Sequence, residues 1–231
     1  LEPKEQEKVL LPSSEDKKEQ DLVEAPSITS DDLADYGADV TKVERPGMGD
    51  GARRLGPFPG DLPHREKSGL FLHLNTNKQS ITLDLKTEAA GIVIKELAKE
   101  ADIVVESFRP GAMAHFGLDY ESLRSINPTL VMTAISNFGQ TGPYRDYRMT
   151  DVMVYGMGGE MYSTGIAERE PVKLGVNVLL YQAGATASVA TMGALFAARE
   201  QGIGQHVDVS IMETQTGSID RRMSALIGFQ Y

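Results

Sequence analysis

The fold is decided by residues 77–111, NKQSITLDLKTEAAGIVIKELAKEADIVVESFRPG. Residues 80–85 alternate in a way that favours a β-strand. Thr87 is the expected N-cap of a helix whose apolar residues recur at helical spacing as far as Ala98. Residues 101–105 form a near-continuous apolar run, which is typical of a strand covered on both faces of a parallel sheet. The stretch therefore predicts a strand, a helix and a second strand that ends in a Phe-Arg-Pro-Gly turn.

The same alternation continues along the middle of the chain. Further strands are predicted over residues 38–43 and 130–135, and a helix over residues 30–36 with Ser30 as its N-cap and Gly37 as its stop. Residues 183–200 are rich in small side chains, so this helix is expected to be buried between layers or at a subunit contact. Alternating strands and helices predict an α/β protein with a doubly wound parallel sheet and helices on both faces.

The carboxyl ends of these strands hold the first candidate site residues. Lys86 follows one strand, and Ser107, Phe108 and Arg109 follow the next. Open α/β sheets bind their ligands at this edge. Positive charge beside an aromatic face suits a ligand that has phosphates and a flat base.

Composition excludes several other functions. The net charge of −10 argues against nucleic acid as the main partner, because phosphate neutralisation needs a basic face. The chain has no cysteine, which rules out disulfides and a thiol nucleophile, and we predict no metal site. No apolar run approaches the ~18 residues of a membrane span, and the charged N-terminus lacks a signal-peptide core. A cytoplasmic protein without a membrane partner is the expectation.

Three further patterns have simple structural interpretations. Residues 1–24 are half charged and are expected to be a flexible tail, although Val9 to Leu11 could form an edge strand that Pro12 ends. The glycines of GMGDGA, residues 47–52, lie in a loop and do not open a helix, so they do not form a dinucleotide fingerprint. Methionine recurs every four positions from 149 to 161, which predicts core packing.

Five segments, in this order, resemble the class III CoA-transferase family, which includes formyl-CoA and carnitine CoA-transferases and the α-methylacyl-CoA racemases. Any one of them would be a weak match, but five in the family's order are specific. The segments are ADYGADVTKVERPGMGD at 34–50, NTNKQSITLDLK at 75–86, ADIVVESFRPGAMAHFGLDYESLRSINPTLV at 101–131, SNFGQTGPYRDYRMTDVMVYGMGGEMYSTG at 136–165 and AAREQGIGQHVDVSIMET at 197–214.

The resemblance implies an organisation and a ligand. Residues 25–214 would form the Rossmann-like, coenzyme-binding large domain, and residues 215–231 would begin a linker toward a small domain. Family members form interlocked homodimers. They use CoA or an acyl-CoA as a substrate, together with a small carboxylic acid, and keep no permanently bound cofactor.

The resemblance also implies a set of coenzyme-binding residues. By matching motif these are Arg45, Leu83, Leu85, Lys86, Ser107, Phe108 and Arg148. Arg45 and Lys86 would face the adenosine end and its phosphates, with the two leucines beside the adenine and the ring of Phe108 in contact. Arg148 would lie near the pyrophosphate or pantetheine. Two positions depart from the pattern, because Ser107 replaces the usual asparagine and His115 a common arginine.

The family's catalytic aspartate has no counterpart in this sequence. Family transferases use that aspartate as a covalent nucleophile, just before the helix of small residues. The matching segment here is GVNVLLYQAG, residues 175–184, in which the aspartate position holds Leu180, or Tyr181 if the alignment shifts by one. Leucine cannot attack a thioester.

Two other acids are candidates for the missing group. Asp151 matches a family position that carries an acid in the active site, and a helix-terminal role for it is equally expected. Glu160 lies on the following helix. Thr150 stands where the racemases place a histidine, which disfavours racemase chemistry.

Three functional hypotheses remain. The first is a CoA-transferase-like protein that moves CoA between an acyl-CoA and a carboxylic acid. The second is a catalytically silent CoA-binding or scaffold domain of a longer or tandem transferase. The third is an unrelated Rossmann-like enzyme that uses another nucleotide.

Overall fold

A computed structural model describes residues 7–12, 24–166, 168–175 and 178–217. Its strands are β1 (Lys8–Pro12), β2 (Asp39–Glu44), β3 (Lys78–Thr82), β4 (Ile103–Glu106), β5 (Val131–Ser136) and β6 (His206–Ser210). They form one sheet in the order β3-β2-β1-β4-β5-β6, and all five neighbouring pairs are parallel. The predicted α/β fold with a doubly wound parallel sheet is confirmed.

The first strand lies at the centre of the sheet. Val9 pairs with Val40 of β2 on one side and with Ile103 of β4 on the other, and Val9 and Leu10 are buried. The expectation of a flexible tail is therefore wrong for residues 8–12, and the alternative of an edge strand is wrong as well. Residues 1–6 and 13–23 lie outside the described residues.

The helices of the described ranges cover both faces of the sheet. They are α1 (Glu24–Asp35), α2 (Gly69–Leu74), α3 (Glu88–Ala98), α4 (Ala112–His115), α5 (Tyr120–Arg124), α6 (Asp151–Met157), α7 (Glu160–Ser163), α8 (Val178–Gln201) and α9 (Ile211–Gly217). On one face α1, α2, α6, α8 and α9 pack on one apolar cluster, and on the other face α3, α4 and α5 pack on a second. Successive strand residues alternate between the two clusters, as Ile103, Val104 and Val105 do, because strand side chains point to opposite faces.

The helix of small residues is buried between layers. The Thr29 hydroxyl on α1 donates to the Gly184 carbonyl on α8 at 3.1 Å, and Ser188 donates to the Asp32 carboxylate at 2.7 Å. The absence of large side chains lets α1 and α8 approach closely enough for these bonds. By length and composition alone α8 could span a membrane, yet half of its most apolar window is buried here, as in a core helix.

Helix α1 begins earlier than predicted. It starts at Glu24, so Ser30 lies in its interior, where its hydroxyl donates to the Ser27 carbonyl at 3.1 Å instead of capping an end. Gly37 is the predicted stop, with a φ of +102° that favours glycine. Ser30 was misassigned because serine is common both at N-caps and in buried helix contacts of this kind.

Helix α3 follows the prediction closely. The Thr87 hydroxyl accepts a hydrogen bond from the Ala90 amide at 3.2 Å, which confirms the N-cap. The buried residues of this helix are Ala90, Ile94 and Ala98, one residue per turn facing the sheet. The strand before it, predicted over 80–85, instead spans Lys78–Thr82, since it pairs residue by residue with β2.

The methionine pattern does not mark one core face. Met149 is buried, but Met153 and Met157 are each 45% exposed. Helix α6 buries Val154 and Tyr155 instead, which turns the other side of the helix toward solvent. The prediction of core packing is wrong for these two methionines, because they lie on the side of α6 opposite Val154 and Tyr155.

The boundary predicted at residue 214 falls inside α9. Gln215 of this helix is buried, and its side-chain amide donates to the Gln182 side chain on α8 at 3.2 Å. Residues 218–231, where the linker was predicted, lie outside the described residues.

Candidate active site

A cleft of ≈ 230 Å³ opens at the carboxyl ends of β4 and β5. Its walls come from the turn after β4, the end of β5 and the loop that precedes α6. The polar and aromatic side chains that line it include Ser107, Phe108, Arg109, Ser136, Arg145 and Arg148. This is the sheet edge at which open α/β proteins bind ligands. The structure thus brings together four of the residues that the sequence singled out: Ser107, Phe108, Arg109 and Arg148.

Three guanidinium groups and a buried hydroxyl give the cleft its character. Arg109 comes from the turn after β4, and Arg145 and Arg148 come from the loop before α6. The Ser136 hydroxyl, at the end of β5, is buried and has no hydrogen-bond partner within the described part of the chain. A buried hydroxyl without a partner is costly, so this atom is suited to contact a ligand. Asp146 also lines the cleft, 3.7 Å from Arg145, so positive charge exceeds negative there and the cleft is suited to an anion.

An aromatic cluster stands beside the arginines. The rings of Phe138, Tyr144 and Tyr147 lie with centroids 5.3 to 6.4 Å apart, which is within the range of favourable aromatic pairs. Tyr144 and Tyr147 are 45% and 58% exposed. The loop before α6 therefore offers both charge and flat apolar surface. These tyrosines were not predicted from the sequence.

A buried acid supports the turn that forms one wall of the cleft. Glu106 ends β4 and is 4% exposed, and its Oε2 accepts a hydrogen bond from the Phe108 amide at 2.6 Å. Burial, with a smaller contribution from the charge of Asp208, raises the pKa of Glu106 to about 8 against the opposing effect of that hydrogen bond. The sequence analysis missed this residue. The available signal was an acid at the end of an otherwise apolar strand.

A second groove, of ≈ 370 Å³, lies beside the cleft at the start of α3. Lys86, Lys95 and His115 line it, together with Leu85 and Phe116. The structure thus brings Lys86, Lys95 and His115 to one groove, a grouping that was not predicted from the sequence.

The two depressions share an aromatic wall. The ring of Phe108, in the cleft, meets the ring of Phe116, in the groove, edge to face at 6.0 Å. Phe108 is 4% exposed and packs in the same apolar cluster as Leu85, against which Leu83 also lies. It therefore serves as core and as cleft wall at once. A ligand that spans both depressions would pass over this pair of rings.

Arg45 lies at the carboxyl end of β2, in a loop fixed by buried charges. The preceding residue, Glu44, accepts two hydrogen bonds of 2.9 Å from Arg53, from Nε to Oε2 and from Nη2 to Oε1. Burial alone would raise the pKa of Glu44, but hydrogen bonds from Arg53 and from the Asp50 amide lower it to about 2. The Arg53 guanidinium also stacks on the Phe71 ring at 3.7 Å. These contacts hold the loop that carries Arg45.

A second buried pair closes the same loop. The Lys42 ammonium forms an ion pair with Asp50, and the two side chains are 2% and 1% exposed. Lys42 also donates to Ser27 and Asn75, and the Asp50 carboxylate accepts from the Ala52 amide at 2.7 Å. The desolvated charges are thus satisfied on several sides, as buried ions require. The sequence analysis did not identify this pair.

The candidate catalytic acid is engaged in a helix-terminal ion pair. Asp151 is the first residue of α6; its Oδ1 accepts from the Val152 amide at 2.7 Å, and its Oδ2 pairs with Lys173. Asp151 lines neither depression. Leu180 is 2% exposed and packs in the apolar cluster around α8. Tyr181, the alternative position, lies 6.2 Å from the His73 ring.

Within the described ranges, no group of three or more His, Asp or Glu side chains is placed to hold a metal ion.

Comparison with known proteins decides the family. The family model described as CoA-transferase family III matches residues 22–227, which is most of the chain. The chain belongs to CoA-transferase family III. The resemblance noted from five sequence segments is confirmed.

The similar proteins include characterised transferases. The chain is 41% identical over 198 residues to succinate–glutarate CoA-transferase of Agrobacterium fabrum, covering 84% of this chain and 50% of that protein. It is 40% identical over 183 residues to succinyl-CoA–D-citramalate CoA-transferase of Chloroflexus aurantiacus, covering 78% of this chain and 44% of the relative. The family III chain thus spans about half the length of the curated relatives it matches.

A solved structure of the family shares the fold. A CAIB/BAIF family protein from Brucella suis superposes with a TM-score of 0.83 at 34% identity, covering 97% of this chain and 57% of that one. Rv3272 from Mycobacterium tuberculosis superposes with a TM-score of 0.80 at 28% identity, covering 96% and 59%. The sheet and helices described above are therefore those of the family.

Proposed function

We propose that this family III chain binds coenzyme A and takes part in the transfer of CoA between an acyl-CoA and a carboxylic acid. The observation that carries the proposal is the arginine-lined cleft at the carboxyl ends of β4 and β5. It lies in a chain whose relatives are named as CoA-transferases. Charge for phosphates, an aromatic wall and a position at the ligand-binding edge occur there together.

The proposed division of the ligand follows the two depressions. Lys86 in the groove and Arg45 on the neighbouring loop would hold the adenosine end and its phosphate, with Leu83 and Leu85 bordering the base. Arg148 in the cleft would contact the pyrophosphate or the start of the pantetheine arm, beside Ser107 and Phe108. Charge-assisted bonds to phosphate are among the strong polar contacts in proteins, so these cations would supply much of the affinity.

We propose that the acceptor is a short dicarboxylic acid. Three relatives are named for transfer to or from such acids. They are the succinate–glutarate and succinyl-CoA–D-citramalate CoA-transferases and an acetyl-CoA:oxalate CoA-transferase of Acetobacter aceti, which is 38% identical to this chain. Two carboxylates let one react while the other is held by a cation. Arg109 and Arg145, which line the cleft and are not assigned to the coenzyme above, are the candidates for that role.

The chemistry of transfer requires a carboxylate nucleophile. In the proposed reaction it attacks the thioester carbonyl, the C–S bond breaks and CoA leaves as its thiolate, which gives a mixed anhydride. Leu180 cannot perform this step, and its burial leaves no room for a reacting group. Asp151 is our candidate for the nucleophile, and its pairing with Lys173 would have to open before it could attack.

A second candidate function is binding without turnover. It is favoured by the buried position of Leu180, where the family places its nucleophile. In this alternative the chain is a CoA-binding or scaffold domain of a longer or tandem transferase. We also propose, on the resemblance alone, an interlocked dimer and a cytoplasmic location.

Calorimetric titration with CoA tests the binding proposal. We expect saturable binding that Arg148→Ala weakens about tenfold or more, since one charge-assisted hydrogen bond contributes roughly 1.5–3 kcal/mol. Arg169→Ala is the matched control, because Arg169 is exposed and lines neither depression. Absence of binding at millimolar CoA, or an equal loss in both variants, would refute the proposal.

Turnover is tested separately. Purified chain is incubated with succinyl-CoA and glutarate, and glutaryl-CoA is measured by liquid chromatography. Formation of product that Asp151→Asn abolishes would support Asp151 as the nucleophile. CoA binding without product would support the silent domain instead.

A further inference from the structure

Glu106 occupies a position that neither the proposed binding contacts nor the proposed chemistry uses. It is the last residue of β4, it is 4% exposed, and its side chain turns back to accept the Phe108 amide at 2.6 Å. The four residues that follow it, Ser107 to Pro110, all line the cleft. One buried carboxyl therefore fixes the start of the turn that presents Phe108 and Arg109 to a ligand.

The surroundings of Glu106 disfavour its negative charge. Register places it level with Ala134 of β5, and Ala134 level with Asp208 of β6, so a methyl side chain separates the two acids. Asp208 is the charged group that acts on Glu106 among the described residues, and it has the same sign. The Asp208 carboxylate itself accepts a hydrogen bond of 2.8 Å from the backbone amide of Gln140.

We propose that Glu106 is a positioning residue that holds the cleft turn as an uncharged acid and couples its proton to the binding of an anionic ligand. This inference rests on the proposed function, in that the anion is the diphosphate of coenzyme A. An uncharged carboxyl accepts the Phe108 amide without placing a negative charge beneath the anion. Ionised, the same carboxyl keeps that bond but repels the ligand through a poorly screened interior.

Thermodynamic linkage between proton binding and ligand binding sets the size of the expected effect. If an anion in the cleft favours the protonated form of Glu106, then binding must take up a proton wherever the free protein has lost it. The pKa of Glu106 in the free protein is about 8. Proton uptake should therefore approach about half a proton per bound CoA at pH 8. Above that pH the affinity should fall, by at most about tenfold per pH unit for one coupled proton.

Calorimetry in buffers of different ionisation enthalpy measures this uptake directly. CoA is titrated into wild type and into Glu106→Gln at pH 7, 8 and 9. Glutamine keeps the shape and an oxygen that accepts the Phe108 amide, but it cannot ionise. We expect the wild type to take up protons and to lose affinity from pH 8 to 9. The variant should bind as well as wild type at pH 7 and show neither effect, because CoA's own titration is common to both proteins.

Asp208→Asn provides a second, independent reading. Asparagine can still accept the Gln140 amide, and loss of the charge lowers the pKa of Glu106. The pH at which affinity begins to fall should therefore be lower in Asp208→Asn than in wild type. In a Glu106→Gln background, Asp208→Asn should leave the pH profile of binding unchanged. This variant keeps the inference testable if glutamine at 106 prevents folding.

The outcomes separate the two proposals. No CoA binding at any pH refutes the proposed function. CoA binding with identical proton uptake in wild type and Glu106→Gln refutes the coupling and leaves the proposed function standing. A lower affinity of Glu106→Gln at pH 7, with an unchanged pH profile, would show that the acid is needed in another way and would also overturn the inference.

Discussion

The buried pair Lys42–Asp50 should be the most sensitive point of the loop that carries Arg45. Replacing Lys42 by Met removes the ammonium, which lies 5.3 Å from the centre of the Phe71 ring, and leaves Asp50 charged at 1% exposure. Removing one partner of a buried ion pair costs about 3–5 kcal/mol. We expect Lys42→Met to lose that much, and Lys42→Met/Asp50→Asn to be more stable than Lys42→Met, because the uncompensated charge is gone.

Urea unfolding followed by far-UV circular dichroism measures these free energies, since the chain has no tryptophan to report by fluorescence. A matched control is Lys99→Met, which breaks a 2.7 Å pair with Glu96 whose side chains are 52% and 62% exposed. Surface pairs of this kind contribute about 0.5 kcal/mol or less. The reasoning fails if Lys42→Met costs under about 1 kcal/mol, or if the double variant shows the sum of the two single losses.

Three other predictions concern charge and burial. The pKa of Lys78 is lowered from 10.5 to about 7, mainly by burial, so its protonation favours the unfolded chain. The free energy of unfolding in urea should therefore be higher for Lys78→Met than for wild type, and this difference should be largest below pH 7 and shrink toward pH 10. A difference that stays constant with pH would contradict the prediction. Lys86→Ala should weaken CoA binding about tenfold in calorimetry while Lys99→Ala does not, whereas equal effects would remove Lys86 from the site. Leu180→Asp should lower the thermal midpoint by about 10 °C, because it buries an unpaired carboxylate; an unchanged midpoint would show that this position is open to solvent.

The parts of the fold that were predictable are those that local pattern determines. The helix that Thr87 caps and the strands that end at Glu106 and Ser136 have long apolar runs or a clear helical period, and tertiary packing agrees with both. The strand at Lys8–Pro12 was expected as an edge strand at most, because so short an apolar run between charged segments gives no sign of a central position. Its identity comes from two neighbours that are distant in the sequence.

The candidate site divides in the same way. Lys86, Phe108 and Arg148 follow strands or lie in matched motifs, so their place at the sheet edge could be expected. Glu106 was not assigned from sequence, since an acid at the end of an apolar strand is a weak signal and only the packed sheet shows that its carboxyl is buried. The pair Lys42–Asp50 is likewise a product of tertiary structure, because residues eight apart meet only when the loop folds back.

The central place of β1 has a consequence for how the chain can be cut. This strand joins β2 and β3 on one side to β4, β5 and β6 on the other. A truncation that removed residues 1–12 would leave a two-stranded and a three-stranded sheet. Each would have an apolar edge with unpaired backbone amides and carbonyls where β1 had been. Such edges pair readily with other chains. Shortening the protein by its first twelve residues should therefore turn a discrete domain into an aggregating one.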